Sequence, residues 1–346
     1  MRQSPVFFNN NFIELKEFIN ANKEAMYFFL VDENTHEFCL PLLLAELDEI
    51  SEIEIIEVPV GEDSKSIEIV YHICQTLADF GADRNSVLIN CGGGVVTDLG
   101  GFVASIFKRG IRFIQVPTTL LAMVDASVGG KTGINLNQAK NQIGTYNQPE
   151  LIIFSTEFLQ TLPYDELLSG FAEMLKHALI RDKNLWNQML ELKEISPENL
   201  TPFIPSSIKI KQEIVEKDPK ESNLRKILNA GHTIGHALES WYMDKNPITH
   251  GHAVAAGLLL ESYISYQLKI LPKNEFYAIL YGLNLFYPLL ELPDSEQILP
   301  YLIQDKKNEK NQIKCVLINE IGNAKDDIYT IDLQLVKDAF SFYKTL

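Results

Sequence analysis

The chain has 346 residues, with 30 basic against 46 acidic side chains, a formal charge of −16 with histidines neutral. That length fits one large domain or two. Apolar residues make up 46% and charged residues 22%, a balance that supports a substantial core and excludes wholesale disorder. The acidic excess argues against a nonspecific nucleic-acid binder, which needs a basic footprint. The opening MRQSPVFFNN is not a basic stretch followed by an apolar secretory core. No segment reaches the roughly 18 uninterrupted apolar residues of a membrane helix. Cys39, Cys74, Cys91 and Cys315 lie far apart without a CxxC pair, so neither a disulfide framework nor a thiolate zinc site is indicated. The expectation is a cytoplasmic enzyme with no membrane and no nucleic-acid partner.

In chain order, β-type runs fall at YFFLV (27–31), IEIIEV (53–58), SVLINC (86–91), IRFIQV (111–116) and LIIF (151–154). Helical patterns lie between them, clearest over 64–80, where Ile67, Val70, Tyr71, Cys74, Leu77 and Ala78 recur at helical spacing. Alternation of this kind predicts a Rossmann-like parallel sheet with helices on both faces and ligands at the carboxyl ends of the strands. From about residue 165 the character changes. Segments 165–180, 204–217, 224–241 and 252–268 read as helices, and QIKCVLI (312–318) reads as part of a late hairpin with a turn at Gly322-Asn323. The predicted division is an α/β domain over 1–160 and a mainly α-helical domain over 161–346.

Three segments carry chemistry. SVLINC runs into Gly92-Gly93-Gly94, and a helix begins near Val95. Glycines there let backbone N–H groups approach a phosphate, and the helix start adds partial positive charge. The segment is not GxGxxG, and a tight strand-to-helix turn would explain it equally well. Next come Thr118-Thr119, Asp125 and Gly129-Gly130-Lys131-Thr132-Gly133, hydroxyls followed by a flexible loop presenting Lys131, with Lys140-Asn141 soon after. Asp125 occupies the place of the first glycine of a P-loop, so this is not one. The two lysines suit an anionic substrate. The helical half then supplies donors of the kind zinc accepts. Glu173 and Lys176 share a helical face, His232 and His236 lie four apart, and His250-Gly251-His252 opens a helix. Any one of these histidines alone is as readily a hydrogen-bonded structural residue, and His36, His72 and His177 are read that way. Periodicity does not decide which three of Glu173, His232, His236, His250 and His252 would bind.

Taken together, GGGVVTDLGGFVAS, RGIRFIQVPTTLLAMVDASVGGKTGIN, KNQIGTYNQP, GFAEMLKHALI, LRKILNAGHTIGHALES and HGHAVAAG resemble, in order and spacing, the 3-dehydroquinate synthase family. The resemblance runs from residue 27 to about 320. It implies a dehydroquinate synthase-like fold that uses NAD catalytically together with Zn2+ or Co2+. The implied reaction turns 3-deoxy-D-arabino-heptulosonate 7-phosphate into 3-dehydroquinate and phosphate by oxidation, elimination, reduction, ring opening and aldol closure. It implies metal ligation by Glu173, His232 and His250, with His236 left to face the substrate. The implied cofactor residues are Asp32, Asn34, Glu62, Lys65, Gly92, Gly93, Gly94, Val95, Val96, Thr97, Asp98, Thr118, Thr119, Asp125, Lys131, Lys140, Phe158, Leu159, Gln160 and Thr161. The implied substrate and catalytic residues are Lys131, Lys140, Asn141, Lys176, Lys211, Arg225, Asn229, His236 and the Asp305-Lys306-Lys307 segment, of which Lys307 is the residue chosen. Arg109 resembles the family arginine that reaches a neighbouring subunit's site, which implies a homodimer. Thr97 stands where the family usually has glycine, Phe107 where tyrosine is frequent, and His252 where glutamate or glutamine is common. The alternatives are another sugar-phosphate cyclase of the 2-deoxy-scyllo-inosose or valiolone type, a metal-dependent polyol dehydrogenase, and a non-catalytic binding module.

Overall fold

The computed structural model describes residues 4–47, 53–137, 139–243, 245–304 and 313–346. The chain divides into two compact units, Met1–Pro163 and Tyr164–Leu346. Among the described residues no helix is long and apolar enough to cross a membrane, and all four cysteines are free thiols.

In the N-terminal unit the strands are β1 (Val6–Phe8), β2 (Tyr27–Asp32), β3 (Ile53–Val58), β4 (Val87–Gly92), β5 (Arg112–Pro117), β6 (Lys131–Leu136), β7 (Ala139–Tyr146) and β8 (Ile152–Phe154). Six of them form one sheet in the order β1-β8-β5-β4-β2-β3, paired in parallel throughout. The central strands β2 and β4 are buried almost end to end, which is why YFFLV and SVLINC read as continuous apolar runs: both faces are covered. The helices are α1 (Ile13–Ala21), α2 (Glu33–Phe38), α3 (Leu40–Ala45), α4 (Ile67–Asp79) and α5 (Gly94–Ile106). The predicted helix over 64–80 starts late, because Glu62–Ser64 is a separate 3-10 turn and Ser66 caps α4 by accepting from Ile69 N–H. Val70, Ile73 and Leu77 of α4 and Val96, Leu99 and Val103 of α5 pack with Phe28, Leu30 and Leu88 into one core.

The glycine-rich stretch after β5 differs from the flexible loop expected. Residues 122–126 form a π-helical turn carrying Asp125, and Lys131 opens an antiparallel hairpin of β6 with β7. The pairing Gly133↔Gly144 brings the two backbones together, and a Cβ on Gly133 would stand 2.7 Å from Ile143 O. Small residues are what the hairpin needs, and they are also what made it look like a loop.

The C-terminal unit contains α6 (Tyr164–Arg181), α7 (Lys183–Leu190), α8 (Pro197–Leu200), α9 (Ile204–Lys217), α10 (His232–Met243), α11 (His250–Gln267), α12 (Lys273–Asn284), α13 (Ser295–Gln304) and α14 (Leu333–Tyr343). Its strands β9 (Ile313–Val316) and β10 (Ile328–Ile331) pair antiparallel. The late hairpin is therefore present, but its connection spans 317–327 and is wider than a Gly322-Asn323 turn. The expected continuous helix over 224–241 is also broken. Leu224–Asn229 is a 3-10 turn, and Gly231 takes φ +76, in the left-handed region that glycine enters at no steric cost. The break restarts the helix at His232.

Candidate functional site

The C-terminal unit builds its polar centre on three helices. Glu173 lies mid-way along α6 with no exposed surface, His232 is the first residue of α10 and His250 the first of α11. The α11 start is pinned to α6, since Gly251 N–H donates to Ser169 Oγ at 3.1 Å. The α10 start is pinned to α11, since the buried Glu261 carboxylate accepts from Gly231 N–H at 2.6 Å and Ile234 N–H at 3.0 Å. These are two of the amide groups that a helix start leaves unsatisfied, and a carboxylate there also complements the helix dipole.

The result is a convergence of donors. Glu173 Oε1 is 3.3 Å from His232 Nε2 and 3.2 Å from His250 Nε2. One donor atom from each of the three residues lies within 4.8 Å of the others. His232 Nδ1–H donates to Ala230 O at 3.0 Å, so in the neutral ring Nε2 carries the lone pair. The other Glu173 oxygen, Oε2, pairs with the Lys176 ammonium one turn on. Burial alone would raise the Glu173 pKa, but the Lys176 ammonium and the neighbouring His232 and His250 imidazoles outweigh it and hold the carboxyl well below its usual range. Burial, aided by the charges of Lys176 and His250, holds His232 below its ordinary value despite Glu173 beside it. For His250 burial loses to hydrogen bonds with Glu173 and Glu239, and the imidazole is pushed up to about 10. One carboxylate and two imidazoles that present Nε2 fit a zinc-type ion and leave a coordination position open.

His236 joins the cluster through its ring, 5.0 Å from that of His232 and 5.8 Å from that of His250. Its donor atom groups instead with Glu239 and His250. His252 is engaged elsewhere: Thr249 Oγ1 is 2.7 Å from its Nδ1, and its ring meets Tyr287 edge-on at 5.6 Å. Among the residues read as structural, His177 is buried with Nδ1 2.8 Å from Ser207 Oγ, and His36 pairs with Glu57 at the surface. Lys176, Lys211 and Arg225 are each at most 5% exposed. Cations are seldom buried without something to offset the charge, and for Lys176 that is the Glu173 carboxylate. Arg225 is steadied by its own turn, donating to Pro219 O at 2.8 Å, and Asn229 donates to Glu221 Oε1 at 2.6 Å. Lys307 and its neighbours Asp305 and Lys306 lie outside the described residues.

The N-terminal unit has a second constellation at the carboxyl ends of β4 and β5. Gly92 ends β4 and Gly93 precedes α5, with no side chain capping the helix. The N–H groups of Gly94, Val95 and Val96 have no carbonyl within the helix to bond. A Cβ on Gly92 would sit 2.5 Å from Val96 Cβ, and one on Gly93 3.0 Å from Thr119 Cγ2. The bare backbone is therefore a cradle of the kind that binds a pyrophosphate. Val96 and Thr97 turn their side chains into the core, leaving only their backbone to a ligand. Thr97 Oγ1 donates to Gly94 O at 3.1 Å, which settles a hydroxyl where glycine was the family habit. Thr118 Oγ1 is buried with no hydrogen bond among the described residues. The neighbouring Cys39 thiol is raised to about 12, chiefly by burial.

Around this cradle Lys65 Nζ donates to Asp98 Oδ2 at 2.7 Å and to Asn141 Oδ1 at 3.1 Å. Asn135, which sequence reasoning missed, ties the group together, donating to Glu62 Oε1 at 2.9 Å and accepting from Asn141 N–H at 2.8 Å. Asp32 caps α2 by accepting from Thr35 N–H at 2.8 Å, with Asn34 in that helix. Phe158 and Leu159 are buried in the core, whereas Gln160 and Thr161 are exposed. Lys131 is exposed and Lys140 half-buried. Arg109 sits in a left-handed turn with Lys108, at φ 70 and φ 48.

Comparison with known proteins identifies the family of the chain. Residues 55–169 match the model of the 3-dehydroquinate synthase N-terminal domain, and 170–308 that of its C-terminal domain. The chain is 39% identical over 336 residues to the 3-dehydroquinate synthase of Parabacteroides distasonis, covering 96% of this chain and 95% of that protein. It is 42% identical over 321 residues to that of Dictyoglomus thermophilum, covering 90% and 88%. A solved 2-deoxy-scyllo-inosose synthase in complex with carbaglucose-6-phosphate, NAD+ and Co2+ is 26% identical with a TM-score of 0.85 over 96% and 95% of the two chains. A glycerol dehydrogenase from Schizosaccharomyces pombe, at 15% identity, has a TM-score of 0.70 over 100% and 90%. The fold is thus dehydroquinate synthase-like, a parallel nucleotide-binding sheet followed by a helical unit. Within that class the chain belongs to the 3-dehydroquinate synthase family.

Proposed function

We propose that this chain is a 3-dehydroquinate synthase, a cytoplasmic, NAD- and metal-dependent carbon–oxygen lyase that converts 3-deoxy-D-arabino-heptulosonate 7-phosphate to 3-dehydroquinate and phosphate. The observation that carries the reading is the meeting of Glu173, His232 and His250 within 4.8 Å in a chain of this family. The N-terminal unit is the NAD domain and the C-terminal unit the metal and substrate domain. A 2-deoxy-scyllo-inosose synthase bound to NAD+ and Co2+ shares the fold, which supports the same cofactor pair here.

In the N-terminal unit Gly92, Gly93 and Gly94 and the first amides of α5 would hold the dinucleotide phosphates, with Thr118 offering its buried hydroxyl. Bound NAD supplies reversible hydride transfer. In the C-terminal unit Glu173, His232 and His250 would hold Zn2+ or Co2+, which supplies Lewis-acid stabilisation of alkoxide charge. Lys211 and Arg225 present positive charge to the substrate's anionic ends, Arg225 with the planar fork suited to a carboxylate. Asn229 and His236 orient polar hydrogens, and Lys176 keeps Glu173 ionised. Lys131, Lys140 and Asn141 are the anion-binding residues of the N-terminal unit. A concentrated local field explains how a protein of charge −16 accepts an anionic substrate. The chain would act as a homodimer, with Arg109 directed to the neighbouring subunit.

The test is incubation of the protein with the heptulosonate phosphate, substoichiometric NAD and Zn2+. Phosphate and dehydroquinate should appear in equal amounts with no net NADH. NADH accumulating to the limit of the added NAD, without phosphate release, would instead favour a polyol dehydrogenase.

A further inference from the structure

We infer that Glu239 is a positioning residue for His250, holding its Nδ1–H so that Nε2 faces the metal. The inference rests on the metal reading above and extends it beyond the three ligands. Glu239 follows His232 by seven residues and His236 by three on α10, so the three share one stripe of that helix. Its Oε2 lies 3.5 Å from His250 Nδ1, the outer limit of a hydrogen bond. The other nitrogen of the same ring, Nε2, lies 3.2 Å from Glu173 Oε1.

The ring is therefore held between two carboxylates with different tasks. An ionised carboxylate only accepts, so when an ion takes the place of the proton that Nε2 shares with Glu173, the contact with Glu239 keeps the remaining proton on Nδ1. His232 reaches the same tautomer by another route, donating from Nδ1 to the Ala230 carbonyl. A fixed acceptor behind each imidazole orients the ring and raises its basicity toward an ion. Glu239 is the only one of these two acceptors that carries charge. It is also the one a substitution removes without touching the backbone.

Metal-stripped wild-type protein, E239A, E239Q and E173Q are titrated with Co2+ while the visible absorption of the bound ion is recorded. E239A is expected to bind about 10- to 100-fold more weakly, with the band shape of the wild type and a stripped protein that still melts cooperatively. E239Q should fall between the two, because its amide oxygen still accepts from Nδ1–H. Wild-type affinity in E239A would overturn the inference. So would a changed band shape in E239A, which would make Glu239 a ligand. Failure of the wild type to bind Co2+, or full binding by E173Q, would overturn the metal reading itself and the inference with it.

Discussion

Substituting Glu173 by Gln is expected to lower turnover by more than about 10³-fold, roughly 4 kcal/mol of lost transition-state stabilisation. The side chain keeps its shape but loses the charge that faces His232 and His250 on one oxygen and Lys176 on the other. The metal-free protein should lose stability as well. Lys176 is 1% exposed, and removing the facing negative charge weakens the compensation of a buried cation at a cost of about 3 kcal/mol. Adding Lys176→Met to Glu173→Gln should restore the urea midpoint without restoring turnover. That dissociation separates a folding defect from loss of the metal ligand. Turnover near wild type in a soluble, folded Glu173→Gln protein would refute the role assigned to this carboxylate.

Gly257→Ala should be the most damaging small change in the helical unit. Glycine is required there because α10 and α11 touch backbone to backbone. A methyl on Gly257 would run into Gly231 O and stand 2.8 Å from Gly235 N. Neither atom belongs to a side chain that could rotate away, so α10 must move. Movement would also pull Gly231 and Ile234 off the buried Glu261 carboxylate and carry His232 away from His250. Overpacking together with the loss of these two hydrogen bonds to a buried acid should cost roughly 3 kcal/mol or more. The urea midpoint of the metal-free protein should fall, and Co2+ affinity should fall with it. An unchanged midpoint would show that the helices are less tightly locked than the glycine contacts imply.

The parallel sheet was legible because its strands are apolar on both faces. YFFLV, SVLINC and IRFIQV become β2, β4 and β5 nearly residue for residue. The hairpin β6–β7 was not, since glycines and polar residues at its contact give no alternating pattern. The helix over 224–241 failed at Gly231, where a left-handed backbone is invisible to periodicity that continues on either side. For the site, the sequence supplied the histidines but not their order of importance. Spacing puts His232 and His236 on one helical face, yet the acid that brings donors together lies on α6, some sixty residues earlier in the chain. Glu239 and Glu261 escaped notice for a related reason. A glutamate inside an amphipathic helix looks like part of a solvated face, and only tertiary packing turns it toward an imidazole or a helix start.

The central claim is tested most directly by locating zinc in crystals of the metal-loaded protein through anomalous scattering at its absorption edge. The account predicts one ion bound by a Glu173 oxygen and by Nε2 of both His232 and His250, at about 2.0–2.2 Å. Zinc held by His236 and Glu239 with Glu173 left paired to Lys176, or no zinc in this unit, would contradict it.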